Sequence, residues 1–294
     1  MLYDISLKIT YDYTDPVGVS RHLVRLMPAD LPGEQRSIAA AMTVTPRPQE
    51  WTDRIDFFGN RFTEILIDTP HDSIVFDVKA RVDRQAAGPR FDMSPPLAKL
   101  GEELAANPGV GPLSPHHFTA PSTRVPLQDS TRDYAQKVMA AKNSTVDAVT
   151  GLNNALHKDM TFDPETTTVD TPLEEAFARR RGVCQDYSHI MIACLRGIGV
   201  PAGYVSGYLR TNPPPGRPRL EGADAMHAWV RAWCGAEMGW VEFDPTNGVL
   251  AGEDHIIVAR ARDYFDVAPL KGVMRSAGEQ SSTQAVDVVP LEAN

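Results

Sequence analysis

Three groups in this chain have the types and the order that acyl transfer through a thiol requires. The first is Gly182-Val183-Cys184-Gln185-Asp186, at the start of an amphipathic helix. It puts Cys184 in the helix's first turn, where unpaired backbone N–H groups and the helix dipole favour an anion. A thiolate is the nucleophilic form of cysteine. The same N–H groups suit an oxyanion forming on an attacked carbonyl. The neighbouring Gly182 lets a substrate approach closely. The second group is Asp224-Ala225-Met226-His227-Ala228-Trp229, which opens a strand and mounts an imidazole rigidly on it. Such a ring can take the thiol proton and later hand it to a leaving amine. The third is Gly239-Trp240-Val241-Glu242-Phe243-Asp244-Pro245-Thr246. A short antiparallel return would set Asp244 beside His227, where a carboxylate fixes the tautomer and orients the ring.

Each group alone has a plainer reading. A cysteine on an amphipathic helix is more often packing, a histidine on a strand is more often a satisfied structural group, and an aspartate before proline is more often a turn former. Cys194 lies on the apolar stripe of its helix and is expected to be structural; Cys234 ends a strand and is given no role. Cys184 differs because it lies off that stripe. What raises the catalytic reading is the order: nucleophile on a helix, then base and orienter on successive strands. Asp186 is expected to cap the helix or tie down the preceding loop. Asp186, Gly182 and Trp229 are therefore expected as supporting residues around Cys184, His227 and Asp244. His189 faces elsewhere than Cys184. A metal held by Cys184, Asp186 and His189 is not expected, because the spacing matches no zinc pattern. No cofactor is expected.

The elements that must position these residues can be traced along the chain. From Tyr3 to Tyr11 the odd positions are Tyr, Ile, Leu, Ile and Tyr, with Asp, Ser, Lys and Thr between them. That period of two predicts a strand with one buried face. Ile38, Ala40, Met42 and Val44 alternate in the same way, as do Ile74, Phe76, Val78, Ala80 and Val82. Gly59-Asn60 predicts a hairpin turn between strands at 53–58 and 61–67. Residues 1–84 thus read as an N-terminal β-sandwich-like domain. Residues 85–128 are a proline-rich connector, with one short helix expected near Leu97 to Ala105. Residues 129–294 read as a domain that runs helices first and strands after, so α+β. Helices are predicted at 131–141 and 145–160, the second capped by Ser144 or Thr145. Another starts at Thr171-Pro172, with Thr171 as its cap, and ends at Arg180-Arg181-Gly182. The helix after Cys184 carries Tyr187, Ile190, Met191, Cys194, Leu195 and Ile198 on one face, so burial of that single face is expected. Strands are predicted at 202–209, 225–233 and 239–243. An exposed stiff loop runs from Asn212 to Pro218, and a last alternating run covers Thr283, Ala285, Asp287 and Val289.

Composition narrows the partners. A hydrophobic content of 42% and a charged content of 23% are ordinary for a soluble globular protein. The formal net charge of -9 argues against nucleic acid and anionic membrane, both of which reward basic patches. No stretch approaches the roughly 18 consecutive apolar residues of a membrane span, and no secretory signal is visible at Met1-Leu2-Tyr3-Asp4. Three cysteines do not make a disulfide framework, so a cytoplasmic location is expected. Nothing in the residues speaks to oligomeric state.

Taken together, four stretches resemble the bacterial transglutaminase-like family, related to the papain-like cysteine proteases. They are Cys184-Gln185-Asp186-Tyr187-Ser188-His189, the run from Gly199 to Tyr208, His227-Ala228-Trp229, and Trp240-Val241-Glu242-Phe243-Asp244-Pro245-Thr246-Asn247. Ser20 to Leu26 with Phe58-Gly59-Asn60 looks like that family's N-terminal β region, and Asp263 to Val273 resembles its C-terminal segment. The resemblance implies a papain-like α+β core, with the cysteine helix packed on an antiparallel sheet, and gives Cys184, His227 and Asp244 the roles of nucleophile, base and orienting carboxylate. Arg231 stands where the family often has an acidic residue, and Met226 where it often has a small one. No calcium loop is present in the sequence, so calcium dependence is not carried over.

The expected activity is cleavage or transfer of amide or peptide acyl groups through a thioester on Cys184, with hydrolysis favoured and a peptide or protein amide as substrate. Cross-linking or ligation by the same chemistry is the alternative. A non-catalytic protein-binding module on the same scaffold is the rival from another class, and a metal-dependent hydrolase stands third.

Overall fold

The computed structural model describes residues 1–85, 91–140, 142–211, 222, 224–274 and 278–291. The loop expected at Asn212–Pro218 lies outside the described residues. The first part of the chain is all strand: β1 (Leu2–Val17), β2 (Ser20–Val24), β3 (Gln35–Thr45), β4 (Glu50–Ile55), β5 (Arg61–Ile67) and β6 (His71–Arg84). Period-two patterning does what it must in β1, where Tyr3, Ile5, Leu7 and Ile9 are all buried. It does less in β3, an edge strand with an irregularity between Ser37 and Ala39 that leaves Ile38 exposed. Gly59 turns the β4–β5 hairpin with φ +84°, and Asp56 accepts hydrogen bonds from the backbone N–H groups of Phe58 and Asn60, both at 2.9 Å.

The connector contributes two short 3₁₀ turns (Leu97–Lys99 and Pro115–Phe118) and α1 (Leu100–Ala106). Then follow α2 (Asp129–Met139), α3 (Thr145–Asp159), β7 (Thr161–Phe162), α4 (Leu173–Arg179), β8 (Arg181–Gly182) and α5 (Cys184–Gly197). Ser144 caps α3 by accepting from the Asp147 N–H at 3.1 Å. Thr171 does not cap α4; Pro172 holds that position, and the Thr171 hydroxyl accepts from the Thr168 N–H inside the preceding loop. The chain then runs through β9 (Ala202–Leu209), β10 (Ala225–Trp233), β11 (Trp240–Asp244), β12 (Val249–Leu250), β13 (His255–Ala261), α6 (Tyr264–Val267), β14 (Leu270–Met274) and β15 (Gln280–Leu291).

Strands β9 to β13 form an antiparallel sheet in the order β12-β11-β10-β9-β13. Helix α5 lies against β10 and β9 and is wrapped by α2, α3 and α4. Burial of a single face was expected for α5, yet every residue from Gln185 to Arg196 is buried. Most of the polar side chains on its other faces are bonded: Asp186, His189 and Arg196 each have partners, while the Ser188 hydroxyl is buried without one among the described residues. Arg196 donates to the carbonyls of Ala202, Ala120 and Arg262, so a cation is held as internal scaffolding. The opposite face of the sheet carries Val205, Trp229 and Ile257, packed against Ala29 and Leu31 from the segment between β2 and β3. Two glycines in β9 shape that face. A Cβ at Gly203 would meet the Phe118 ring at 2.8 Å, and one at Gly207 would meet the Trp229 ring at 2.6 Å.

The last strands return to the beginning of the chain. β14 pairs with β2 and β15 with β1, giving two four-stranded sheets in the orders β14-β2-β5-β4 and β15-β1-β6-β3. Residues grouped with the helices by sequence therefore complete the N-terminal sheets. The phase of β15 is also opposite to the alternation expected: Val286 and Val288 are the buried pair, while Val289 faces out. The register explains it, since Val286 and Val288 sit opposite Leu7 and Ile5, the buried residues of β1.

Candidate active site

Cys184 is the first residue of α5 and is partly exposed. The turn before it is built from Asp186, whose Oδ2 accepts from the Val183 N–H at 2.8 Å and from the Thr167 hydroxyl at 2.7 Å. Asp186 thus ties the incoming loop to the helix. Burial raises the Asp186 carboxyl's pKa, and the bonds from Thr167 and Val183 partly offset the rise. Gly182 is buried, and the space a Cβ would fill there is occupied by Asp186, whose Cβ and Cγ would each stand 2.8 Å away. Its role is to let loop and helix pack; the expected opening for substrate is not what its surroundings show.

His227 and Asp244 are brought together by strand register. Arg231 of β10 pairs with Glu242 of β11, so residues 227, 229 and 231 share a face with 242 and 244. Two contacts with the same diagonal offset follow. Trp229 Nε1 donates to Glu242 at 2.8 Å, and His227 Nε2 meets Asp244 Oδ2 at 2.8 Å. The indole ring stacks on the imidazole, with centroids 6.1 Å apart and planes inclined by 26°. Asp244 is fully buried and accepts from five donors. On Oδ2 these are His227, His255 at 3.0 Å and the Asn247 side chain at 2.7 Å; on Oδ1 they are the N–H groups of Thr246 and Asn247. Burial alone would raise this carboxyl's pKa; the hydrogen bonds from the two histidines outweigh it and hold the group far below the usual carboxylate range.

His255 was missed in the sequence. It lies on β13, two strands from His227 across β9, and reaches the same oxygen; the missing side chain of Gly207 between them makes room for the Trp229 indole, which meets the His255 ring edge-on with centroids 5.2 Å apart. The Gly252 N–H donates to His255 Nδ1 at 3.1 Å, so the ring proton sits on Nε2 and points at Asp244. That tautomer suits a hydrogen bond and leaves no lone pair on Nε2 for a metal. His227, Asp244 and His255 nevertheless make the one cluster of metal-ligating type among the described residues. The only trace of His255 in the sequence is a lone histidine opening a strand, a signal too common to single it out.

With Nε2 of His227 committed to Asp244, Nδ1 is the nitrogen that can serve Cys184. Burial pushes the His227 pKa down, but hydrogen bonding to Asp244 and interaction with Cys184 overcome this and raise it to about 10. Cys184 and His227 open together into a cleft of about 410 Å³. Cys194 and Cys234 are fully buried, and burial pushes each thiol's pKa up to about 12. His189 points away from Cys184 and accepts from the Tyr264 N–H at 3.2 Å, which fixes the start of α6.

An antiparallel sheet, a buried helix with a thiol at its N-terminus and an imidazole–carboxylate pair on adjoining strands together define a papain-like architecture. The chain belongs to the transglutaminase-like superfamily, whose model matches residues 132–245. It also carries the bacterial transglutaminase-like N-terminal region, matched over residues 3–83. Among its relatives are the uncharacterized proteins Rv2569c of Mycobacterium tuberculosis and Mb2599c of Mycobacterium bovis, each 35% identical over 99% of this chain and 94% of the relative. A crystal structure from Cytophaga hutchinsonii, whose cysteine protease activity is itself only proposed, matches all of this chain and 92% of that one with a TM-score of 0.77. At 22% identity that likeness speaks for the fold alone. No helix among the described residues is long and apolar enough to cross a membrane.

Proposed function

We propose that the protein is a cysteine amidase or peptidase that works through a thioester on Cys184. The observation that carries this reading is the single imidazole of His227, bonded at one nitrogen to a buried carboxylate and facing the Cys184 thiol with the other. In the proposed cycle the Cys184 thiol passes its proton to His227 Nδ1 as its sulfur attacks the substrate carbonyl carbon. The negative charge on oxygen is met by the unpaired N–H at the start of α5. The carbon–nitrogen bond breaks as His227 Nδ1 delivers its proton to the leaving amine. A water then adds to the thioester, giving a proton to His227, and the carbon–sulfur bond breaks as His227 returns that proton to the leaving sulfur, releasing a carboxylic acid and the thiol. Asp244 keeps the ring in one tautomer throughout. Transfer to an amine in place of water would use the same groups. Hydrolysis is favoured because nothing among the described residues of the cleft wall marks a dedicated acceptor.

The test is to screen peptides and glutamine amides for ammonia or amine release in parallel with incorporation of a labelled amine. Iodoacetamide should label Cys184 in preference to the two buried thiols, and Cys184→Ala should abolish both labelling and turnover. Equal labelling of all three thiols, or turnover that survives Cys184→Ala, would exclude the reading.

A further inference from the structure

The cleft over Cys184 is not made by the catalytic half alone. Its far wall comes from β1 and β15, through Tyr11, Ser282, Thr283 and Gln284. The register shows why β15 changes character there. Val288, Val286, Gln284 and Ser282 sit opposite Ile5, Leu7, Ile9 and Tyr11, all on one side of the sheet. Val288 and Val286 are buried, whereas from Ala285 back to Gln280 every residue is exposed. On that side the pattern turns from apolar to polar where the strand enters the cleft. None of Ser282, Thr283 and Gln284 is held by a side-chain hydrogen bond to a described residue. β15 is moreover the outer strand of its sheet. A second feature concerns charge. Among the described residues lining the cleft there is no Asp, Glu, Lys or Arg, and away from Cys184 and His227 the walls are tyrosine, small hydroxyl, amide and apolar groups. In a chain with 67 charged residues, 29 basic and 38 acidic, such a surface is selective.

We infer that Ser282–Gln284 form a recognition wall and that the cleft takes an extended, uncharged segment of peptide, with Gln284 determining specificity. This rests on Cys184 being the nucleophile. A peptide laid between β10 and β15 would present neutral side chains and backbone amides to Gln284, Ser282 and the tyrosines. A charged side chain against the Ser282–Gln284 wall would lose its hydration without gaining a counter-ion from that wall.

The experiment uses the full chain and four peptides that differ only in the residue beside the scissile amide: Gln, Leu, Lys or Glu. Wild type should favour Gln and Leu over Lys and Glu by about tenfold or more in kcat/KM, the cost of one uncompensated charge. Gln284→Glu should then raise the Lys peptide and lower the Glu peptide, and Gln284→Lys should do the reverse. Iodoacetamide should still label Cys184 in both variants, which shows the nucleophile is intact. Opposite shifts establish the wall. Identical peptide preferences in wild type and both variants, with labelling intact, overturn it. If wild type cleaves none of the four, their binding to Cys184→Ala by fluorescence anisotropy decides instead: opposite shifts in Kd keep the recognition wall while hydrolysis falls, and charge-independent binding removes it.

Discussion

The two walls of the cleft are held in opposite ways. Behind the β10 wall the imidazole is backed by a bonded network: Asp244 has five donors, Trp229 is tied to Glu242, and Glu242 meets Arg260 at 2.6 Å. On the side of β15 the side chains at 280–285 are exposed and loosely engaged. The first arrangement fixes the direction of an imidazole through its bond to Asp244 and its stacking on Trp229. The second leaves groups free to meet something that is not part of the chain. Chemistry needs preorganisation, and recognition tolerates exchange with water. A fold that separates the two can vary one without disturbing the other.

That contrast can be tested from its strongest consequence downwards. Cys184→Ala should leave no measurable amide cleavage while changing the melting temperature by no more than about 2 °C, because the residue is partly exposed and the change removes one sulfur atom; activity and thermal scans check both. Asp244→Asn should cost about 10³- to 10⁴-fold in kcat, since an amide can force the wrong tautomer on His227. It should also destabilise the fold, because the two histidines and three amide donors lose their anion.

His255→Phe should cost about 10- to 100-fold in kcat, the usual scale for a partner that orients a functional ligand. It should also move the acid limb of the pH–rate profile upward, because Asp244 loses a hydrogen bond to its charged form. His255→Gln, which keeps a donor, should recover part of the rate. An unshifted profile would reduce His255 to packing.

Stability should depend on pH through His227. Its pKa is raised on folding from 6.5 to about 10, so its contribution is complete below about 6.5 and is lost as pH rises through about 10. Urea unfolding of wild type should therefore weaken between pH 7 and 10 more than that of His227→Asn. The smallest effect belongs to the other thiols: Cys194→Ala and Cys234→Ala should leave kcat within about twofold and cost roughly 1–2 kcal/mol of stability, as truncation of a small buried group does.

The strands and helices that carry the site were legible because their patterns are local. Period-two alternation marks β1 and β6, and a seven-residue apolar rhythm marks α5. Ser144 announced the start of α3. Burial was less legible. The apolar stripe of α5 predicts one packed face, but Arg196, Asp186 and His189 on its other faces are buried too, each satisfied by a group distant in the chain. A sequence shows that a side chain is polar; it does not show whether a partner will be waiting inside. The pairing of β15 with β1 was hidden for the same reason, because the two strands are more than 260 residues apart and either phase of an alternating run can face inward.

The sequence by itself determined which residues could do chemistry. A cysteine in a helix's first turn, a histidine opening one strand and an aspartate closing the next are facts of order, and local geometry follows from order. Only the tertiary structure decided that a second histidine, across a glycine in the intervening strand, holds the same carboxylate, and that β1 and β15 wall the cleft opened by Cys184 and His227. Those are long-range pairings. They are set by which surfaces bury each other best, and no short stretch of residues carries that information alone.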